Sequence, residues 1–190
     1  MKTFIISLKI FLFLTILTGV IYPLLITGIA QVVFHRKANG SMITENHQII
    51  GSELIGQQFD SVIYFSSRPS AVSYNPLPSG GSNYGLTNIK LKNLVTERKH
   101  QFNSFNLLDS MNVVPSEMLF ASASGLDPHI SPEAAFLQEN RIAKARNFNL
   151  VQKQELHQCV ADLTEAPQYL CLGEPRINVL LLNLRVDEIK

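Results

Sequence analysis

The sequence predicts a single N-terminal transmembrane helix followed by one extramembrane α+β domain. Three observations predict it. From Ile10 to Phe34 runs a stretch of 25 residues without a formal charge. Leu91, Leu94, Val95, Phe102 and Phe105 then fall on one face of a 3.6-residue period, and near the chain end Leu180, Leu182, Leu184 and Val186 alternate with polar positions.

The uncharged stretch is the strongest of the three. At about 1.5 Å per residue it reaches roughly 37 Å, enough to cross a hydrocarbon core of about 30 Å with some tilt. Lys2 and Lys9 before it and Gly28-Ile29-Ala30 near its end imitate a cleaved signal peptide. A signal h-region, however, runs only about 7–15 residues. The stretch is therefore expected to stay as an anchor, with residues 1–9 as a short tail, 10–34 as the membrane helix and 35–190 as the domain. Lys2, Lys9 and the α-amine on one side are balanced by Arg36 and Lys37 on the other, so basic residues alone do not orient the helix. Thr15, Gly19, Pro23, Thr27 and Gln31 recur every four residues. In lipid such small or polar positions let helices approach and hydrogen-bond, which predicts packing on a partner helix.

Next in order, Ser41-Met42-Ile43 and His47 to Ile50 read as short strands around the polar Glu45-Asn46, closed by Gly51. Residues 66–88 hold three prolines, three glycines, six serines and three asparagines, the composition of a long loop. A helix is expected from near Asn88, a strand at Met118-Leu119-Phe120, and a second helix between Ser131 and Asn147. A third helix is capped by Asn149 and buries Leu156, Val160 and Leu163. Arg176 to Val186 is expected to be a strand, from its alternation.

Composition excludes several classes of function. The formal net charge is +1 with no basic run, which argues against nucleic acid and against an electrostatic membrane patch. Cys159 and Cys171 are the only cysteines, too few for a four-thiolate zinc site. They stand either as one disulfide or as two free thiols. Gly51 and Gly56 have the spacing of a phosphate loop, but Gln57 and Gln58 occupy the positions where that motif needs Lys and Ser or Thr. Ser79-Gly80-Gly81-Ser82-Asn83 is a turn-forming string whose amides suit an anion, with Tyr64, Arg68, Tyr74 and Asn75 as a polar surface nearby. Asp127, His129 and Glu133 are the one grouping that suggests a metal or hydrolytic centre, yet the third ligand would have to come from across a helix start, with no second His nearby in sequence. Ser122 and Ser124 lack the glycine frame of a nucleophile elbow. Turn and cap chemistry explains Asp127-Pro128, Ser131 as N-cap, Pro132 at N1 and Glu133 in the first turn. His129 alone is left over.

Several strings taken together resemble the KdpC family, the small C subunit of the Kdp-type potassium-transporting P-type ATPase. They are Gly51-Ser-Glu-Leu-Ile-Gly-Gln57, Tyr64-Phe65 with Arg68-Pro-Ser-Ala71, Ser79 to Asn83, Ser124 to Ala135 and Gly173 to Leu180, in that order behind one anchor. The resemblance covers essentially the whole chain. It implies a non-catalytic accessory subunit in the cell's inner membrane, with an extracytoplasmic C-terminal domain. The implied partners are a channel-like potassium-binding subunit and a P-type subunit that hydrolyses ATP, with membrane lipid around the anchor. It also implies a catalytic chaperone that raises ATP affinity, no tightly bound cofactor or metal, and ATP met through the complex. Ser79, Gly80, Gly81, Ser82 and Asn83 are then a nucleotide or partner loop, and Asp127 and His129 a corner that presents His129 to a neighbour. The sequence departs from the family pattern at Tyr84 and Leu86, where the loss of a proline is expected to loosen the loop's exit, and around Ala121 to Ala123.

Overall fold

A computed structural model describes residues 2–45, 47–169 and 171–189. It contains two compact units, Met1–Ile50 and Gly51–Lys190. In the first, one apolar helix of 32 residues extends from Lys2 to Val33, with a mean hydropathy of 2.4 over its 18-residue apolar window, long and apolar enough to cross a membrane. It begins at Lys2, ahead of the uncharged run. α1 (Lys2–Ile16) and α2 (Tyr22–Val33) are joined by a π-helical turn, Leu17–Ile21. Pro23 explains the turn, since it has no N–H and its ring would meet the carbonyl four residues back at Gly19. A π-turn just ahead of the proline relieves that conflict.

Phe34 leaves the helical region, a short α3 (His35–Ala38) follows, and β1 (Met42–Glu45) pairs with β2 (Gln48–Ser52) in a two-stranded sheet. Asn46, expected between those strands, lies outside the described residues.

The second unit starts with an irregular segment through residue 88. α4 (Ile89–Phe105) then begins where Asn88 caps it, its side-chain oxygen accepting the Lys90 N–H at 2.8 Å. The strand expected at 118–120 is a 3-10 turn instead, Ser116–Met118. Pro115 sets its entry, and a three-residue apolar piece has no neighbouring strand to pair with. Met118 is nevertheless buried. β3 (His129–Ile130) leads into α5 (Pro132–Ala145), whose N-cap Ser131 accepts the Ala134 N–H at 3.0 Å. α6 (Leu150–Asp162) opens on a capping box of Asn149 and Gln152 and buries Leu156 and Val160.

The expected terminal strand is likewise corrected. Only Ile177–Asn178 is extended, as β4, pairing antiparallel with β3 so that His129 faces Asn178 and Ile130 faces Ile177. α7 (Val179–Asp187) follows. Its buried residues Val179, Leu180, Leu182, Asn183 and Val186 lie at i, i+1, i+3, i+4 and i+7, which is a helical stripe. The alternation misled because a run of leucines satisfies both periods, whereas Asn178 accepts the N–H groups of Leu180 and Leu181 and starts the helix. The core therefore packs Ile142, Leu156, Val160, Ile177, Leu182 and Val186 around Phe65 and Ile130.

Candidate functional site

Four sequence segments scattered over more than a hundred residues converge on one corner, residues 122–130. Gly80 N–H donates to the Ser124 carbonyl at 2.9 Å, and Gly81 lies so close over Ala123 that a Cβ would stand 3.3 Å from its carbonyl oxygen. Gly125 takes φ +71°, and a Cβ there would lie 2.5 Å from Val72 and 2.9 Å from the Gly80 carbonyl. Only glycine fits both the backbone and the space. From the other side Gly56 N–H donates to the Leu126 carbonyl at 2.7 Å, and its missing side chain lets the Asp127 carbonyl approach. Ser122 N–H reaches the Pro69 carbonyl, and Val179 N–H reaches that of Pro128. The segments around Gly56, Pro69, Gly80 and Val179 thus hang on one turn by backbone contacts.

Electrostatics lock the same corner. An Arg68 guanidinium nitrogen lies 2.6 Å from Asp127 Oδ2, while the His129 amide donates to Oδ1 at 3.0 Å and the His129 ring stands 3.4 Å from it. Burial pushes the Asp127 carboxyl up, but His129 and Arg68 outweigh it and hold it at about 2. Asp127 is thus a fixed anion answered by an arginine. Glu133, the third member of the suggested metal grouping, stays exposed in the first turn of α5. Among the described residues no three His, Cys, Asp or Glu side chains converge on a common point. Ser124 Oγ accepts the Leu126 N–H in a turn, with no base beside it, and Ser122 is buried. Cys159 and Cys171 are free. Tyr64 bonds Asp187, Tyr74 bonds the Arg68 carbonyl, and Asn75 accepts the Leu77 amide, so this polar surface braces the fold.

The irregular segment is held by side chains that sequence reasoning passed over. Arg141, 3% exposed, donates to Asn106 Oδ1 at 2.9 Å, to Gln138 Oε1 at 3.0 Å and to the carbonyls of Ser61 and Val62, with its guanidinium 4.4 Å from the Phe105 ring centre. Gln138 Oε1 accepts the Ser66 amide at 2.7 Å, and Asn183 brackets Phe65 through both its amide and its carbonyl. Arg146 adds a bond to the Ile63 carbonyl. Burial without a carboxylate pulls the Arg141 guanidinium down to about 10. A signal was present in the sequence: Ala134, Ala135, Gln138, Arg141 and Ile142 form one helical face, with two polar residues at core positions. Beside the segment a groove of about 720 Å³ opens between Arg68, Ser70 and Tyr74 and the α4 residues Arg98, Gln101 and Phe105.

In the first unit Thr15, Gly19, Pro23, Thr27 and Gln31 are all exposed, and nothing lies within 4 Å of where a Gly19 Cβ would be. Thr27 bonds back to the Pro23 carbonyl at 2.8 Å, and Gln31 pairs with Asn39.

The chain thus joins a helix long and apolar enough to cross a membrane to an α+β unit in which Arg68, Asp127, Gln138, Arg141 and Asn183 brace loops. The family of the potassium-transporting ATPase c chain, KdpC, matches residues 4–188. The "Potassium-transporting ATPase KdpC subunit" of Photorhabdus laumondii is 46% identical over 186 residues, covering 96% of this chain and 94% of that protein. Proteins of the same description from Pectobacterium atrosepticum (44% over 187 residues, 97% and 95% covered) and Escherichia coli (42% over 186 residues, 96% of each) are similarly alike. The chain belongs to the KdpC family.

Proposed function

We propose that this chain is the accessory C subunit of an ATP-driven potassium pump of the inner membrane. It is anchored once, with its second unit outside the cytoplasm. The observation that carries this reading is the family match over residues 4–188, with relatives covered nearly end to end. On this reading the chain carries out no hydrolysis. It stabilises a complex of a channel-like potassium-binding subunit and a P-type subunit that hydrolyses ATP, and it acts as a catalytic chaperone raising that subunit's affinity for ATP. ATP is met only through the complex. The braced corner supports a holding role, because a surface fixed by Arg68, Asp127 and three glycines offers a partner a preformed shape at little ordering cost.

Purification of the tagged chain in mild detergent should bring down both large partner subunits. Recovery of a stable lone chain would contradict the proposal. Replacing Gly19 or Thr27 with Leu should weaken recovery if the small-residue stripe is the packing face. An impermeant thiol reagent should label the exposed Cys171 from outside the cytoplasm. Labelling only after the cytoplasm is opened would reverse the orientation.

A further inference from the structure

The turn that ends α3 carries a reactive pair. Asn39 is the C-cap, and Gly40, at φ +83°, is the glycine that reverses the chain. Gly40 N–H donates to the Lys37 carbonyl at 3.1 Å and Ser41 N–H to that of Arg36 at 2.9 Å, the two closing bonds of a Schellman motif. A side chain at position 40 would strain that backbone, so the cap calls for glycine. The same lack of a side chain leaves the Gly40 nitrogen unshielded next to the Asn39 amide carbon. No other asparagine in the chain precedes a glycine, and Asn39 is exposed to water.

The folded turn nevertheless holds both reactants back. Asn39 Nδ2 donates to the His35 carbonyl at 2.8 Å and lies 3.3 Å from His35 Nδ1. The Asn39 and Gln31 amides also exchange two hydrogen bonds of 3.3 Å. The Gly40 N–H, for its part, is aimed at Lys37 rather than at Asn39 Cγ. Ring closure between the two residues therefore needs the cap to open first.

We propose that Asn39 is a deamidation site gated by this cap. The Gly40 nitrogen attacks Asn39 Cγ, the Cγ–Nδ2 bond breaks, and the displaced amide leaves as ammonia, taking up the Gly40 proton through water. The succinimide so formed adds one water and opens at either carbonyl, to aspartate or to isoaspartate, with no change of oxidation state. Either product spoils the cap. A carboxylate has no proton to donate to the His35 carbonyl and faces the carbonyl end of α3, where negative charge is unfavourable. Isoaspartate adds a methylene to the backbone and so moves Gly40 and Ser41 off Lys37 and Arg36. Conversion thus loosens the turn between the apolar helix and β1 by age alone, without a partner or an enzyme, and it stands apart from the pump assignment.

The test holds the full chain warm in detergent and mildly alkaline buffer, while peptide mapping by mass spectrometry follows every asparagine. Asn39 should convert ahead of all the others, with isoaspartate among its products. Gln31→Ala removes one partner of the Asn39 amide and should speed conversion roughly fivefold, the factor carried by one ordinary hydrogen bond. Guanidinium added to the parent chain should speed it likewise. Gly40→Pro breaks the cap but also removes the attacking N–H, and should abolish conversion. Trypsin should cut after Arg36 or Lys37 sooner in Asn39→Asp than in the parent. Conversion of Asn39 no faster than that of the other asparagines would overturn the proposal, as would its persistence in Gly40→Pro. A rate unmoved by both Gln31→Ala and guanidinium would overturn the gate, and an Asn39→Asp turn as resistant to trypsin as the parent's would overturn the consequence drawn from it.

Discussion

Arg141 offers the sharpest test of how the irregular segment is held. Arg141→Met keeps most of the side chain's length and apolar bulk but removes every donor. Asn106 Oδ1, buried at 1% exposure, loses its guanidinium partner, Gln138 Oε1 keeps only the Ser66 amide, and the Ser61 and Val62 carbonyls lose theirs. A buried acceptor left unpaired costs about 1–3 kcal/mol. Against this, the change also abolishes the desolvation cost that pulls the guanidinium down to about 10, on the order of 3 kcal/mol at about 1.4 kcal/mol per pKa unit. With Asn106 Oδ1 stranded, several bonds to a charged group worth about 1.5–3 kcal/mol each removed and the stacking on Phe105 lost, the balance falls at about 2–3 kcal/mol of destabilisation. That corresponds to roughly 5–10 °C in Tm for a domain of this size. Because the anchor keeps its helix in detergent, the readout should be local, namely cleavage of the 61–66 backbone in limited proteolysis alongside thermal denaturation. Adding Asn106→Leu should recover part of the loss by removing the stranded acceptor. A single Arg141→Met chain as stable and as protease-resistant as the parent would refute the idea that this network pins the segment.

Other outcomes follow from the same contacts. Ser131→Ala removes the α5 cap and should cost about 1 kcal/mol, read by denaturant unfolding. Gly125→Ala, at positive φ and against Val72 and Gly80, should cost more than a surface substitution and detach the Ser79 to Asn83 loop, seen as new protease cutting there. The Asp127 carboxyl is held at about 2, below its usual value near 3.8, so its stabilisation is fully present above pH 4 and is lost as pH falls from about 4 to about 2. It amounts to about 2 kcal/mol, and Asp127→Asn should be less stable than the parent at neutral pH while lacking that acid-side decline. Leu182→Ala, fully buried, should cost about 2–5 kcal/mol in the same unfolding assay.

The anchor, α4, α5 and α6 were legible in the sequence because each combines a period with a cap, as at Asn88, Ser131 and Asn149. The end of the chain was not, since four apolar residues spaced by two in a leucine-rich run fit a strand and a helix alike, and Asn178 decides only through its cap. The π-turn at Leu17–Ile21 is readable in hindsight from Pro23. The corner was half legible: turn and cap residues spoke for themselves, but the partner of Asp127 is Arg68, 59 residues earlier, and no local pattern announces that pairing. Gln138, Arg141 and Asn183 escaped because polar residues on an apolar stripe give no indication of which backbone they will bond.

The bracing of the irregular segment also dictates an order of events in folding. The partners of Phe65 and Glu53 lie 118 and 125 residues later, on Asn183 and Asn178. Closing loops that long must precede any gain from those bonds. During synthesis, then, the Phe65 and Glu53 parts of the segment stay without these bonds until almost the whole chain has been made, although residues 122–146, which hold Gly56, Arg68 and Gly80, emerge earlier. A stop codon ahead of Asn178 would leave those parts open to proteases and to unwanted association, although not one residue of the segment itself had changed.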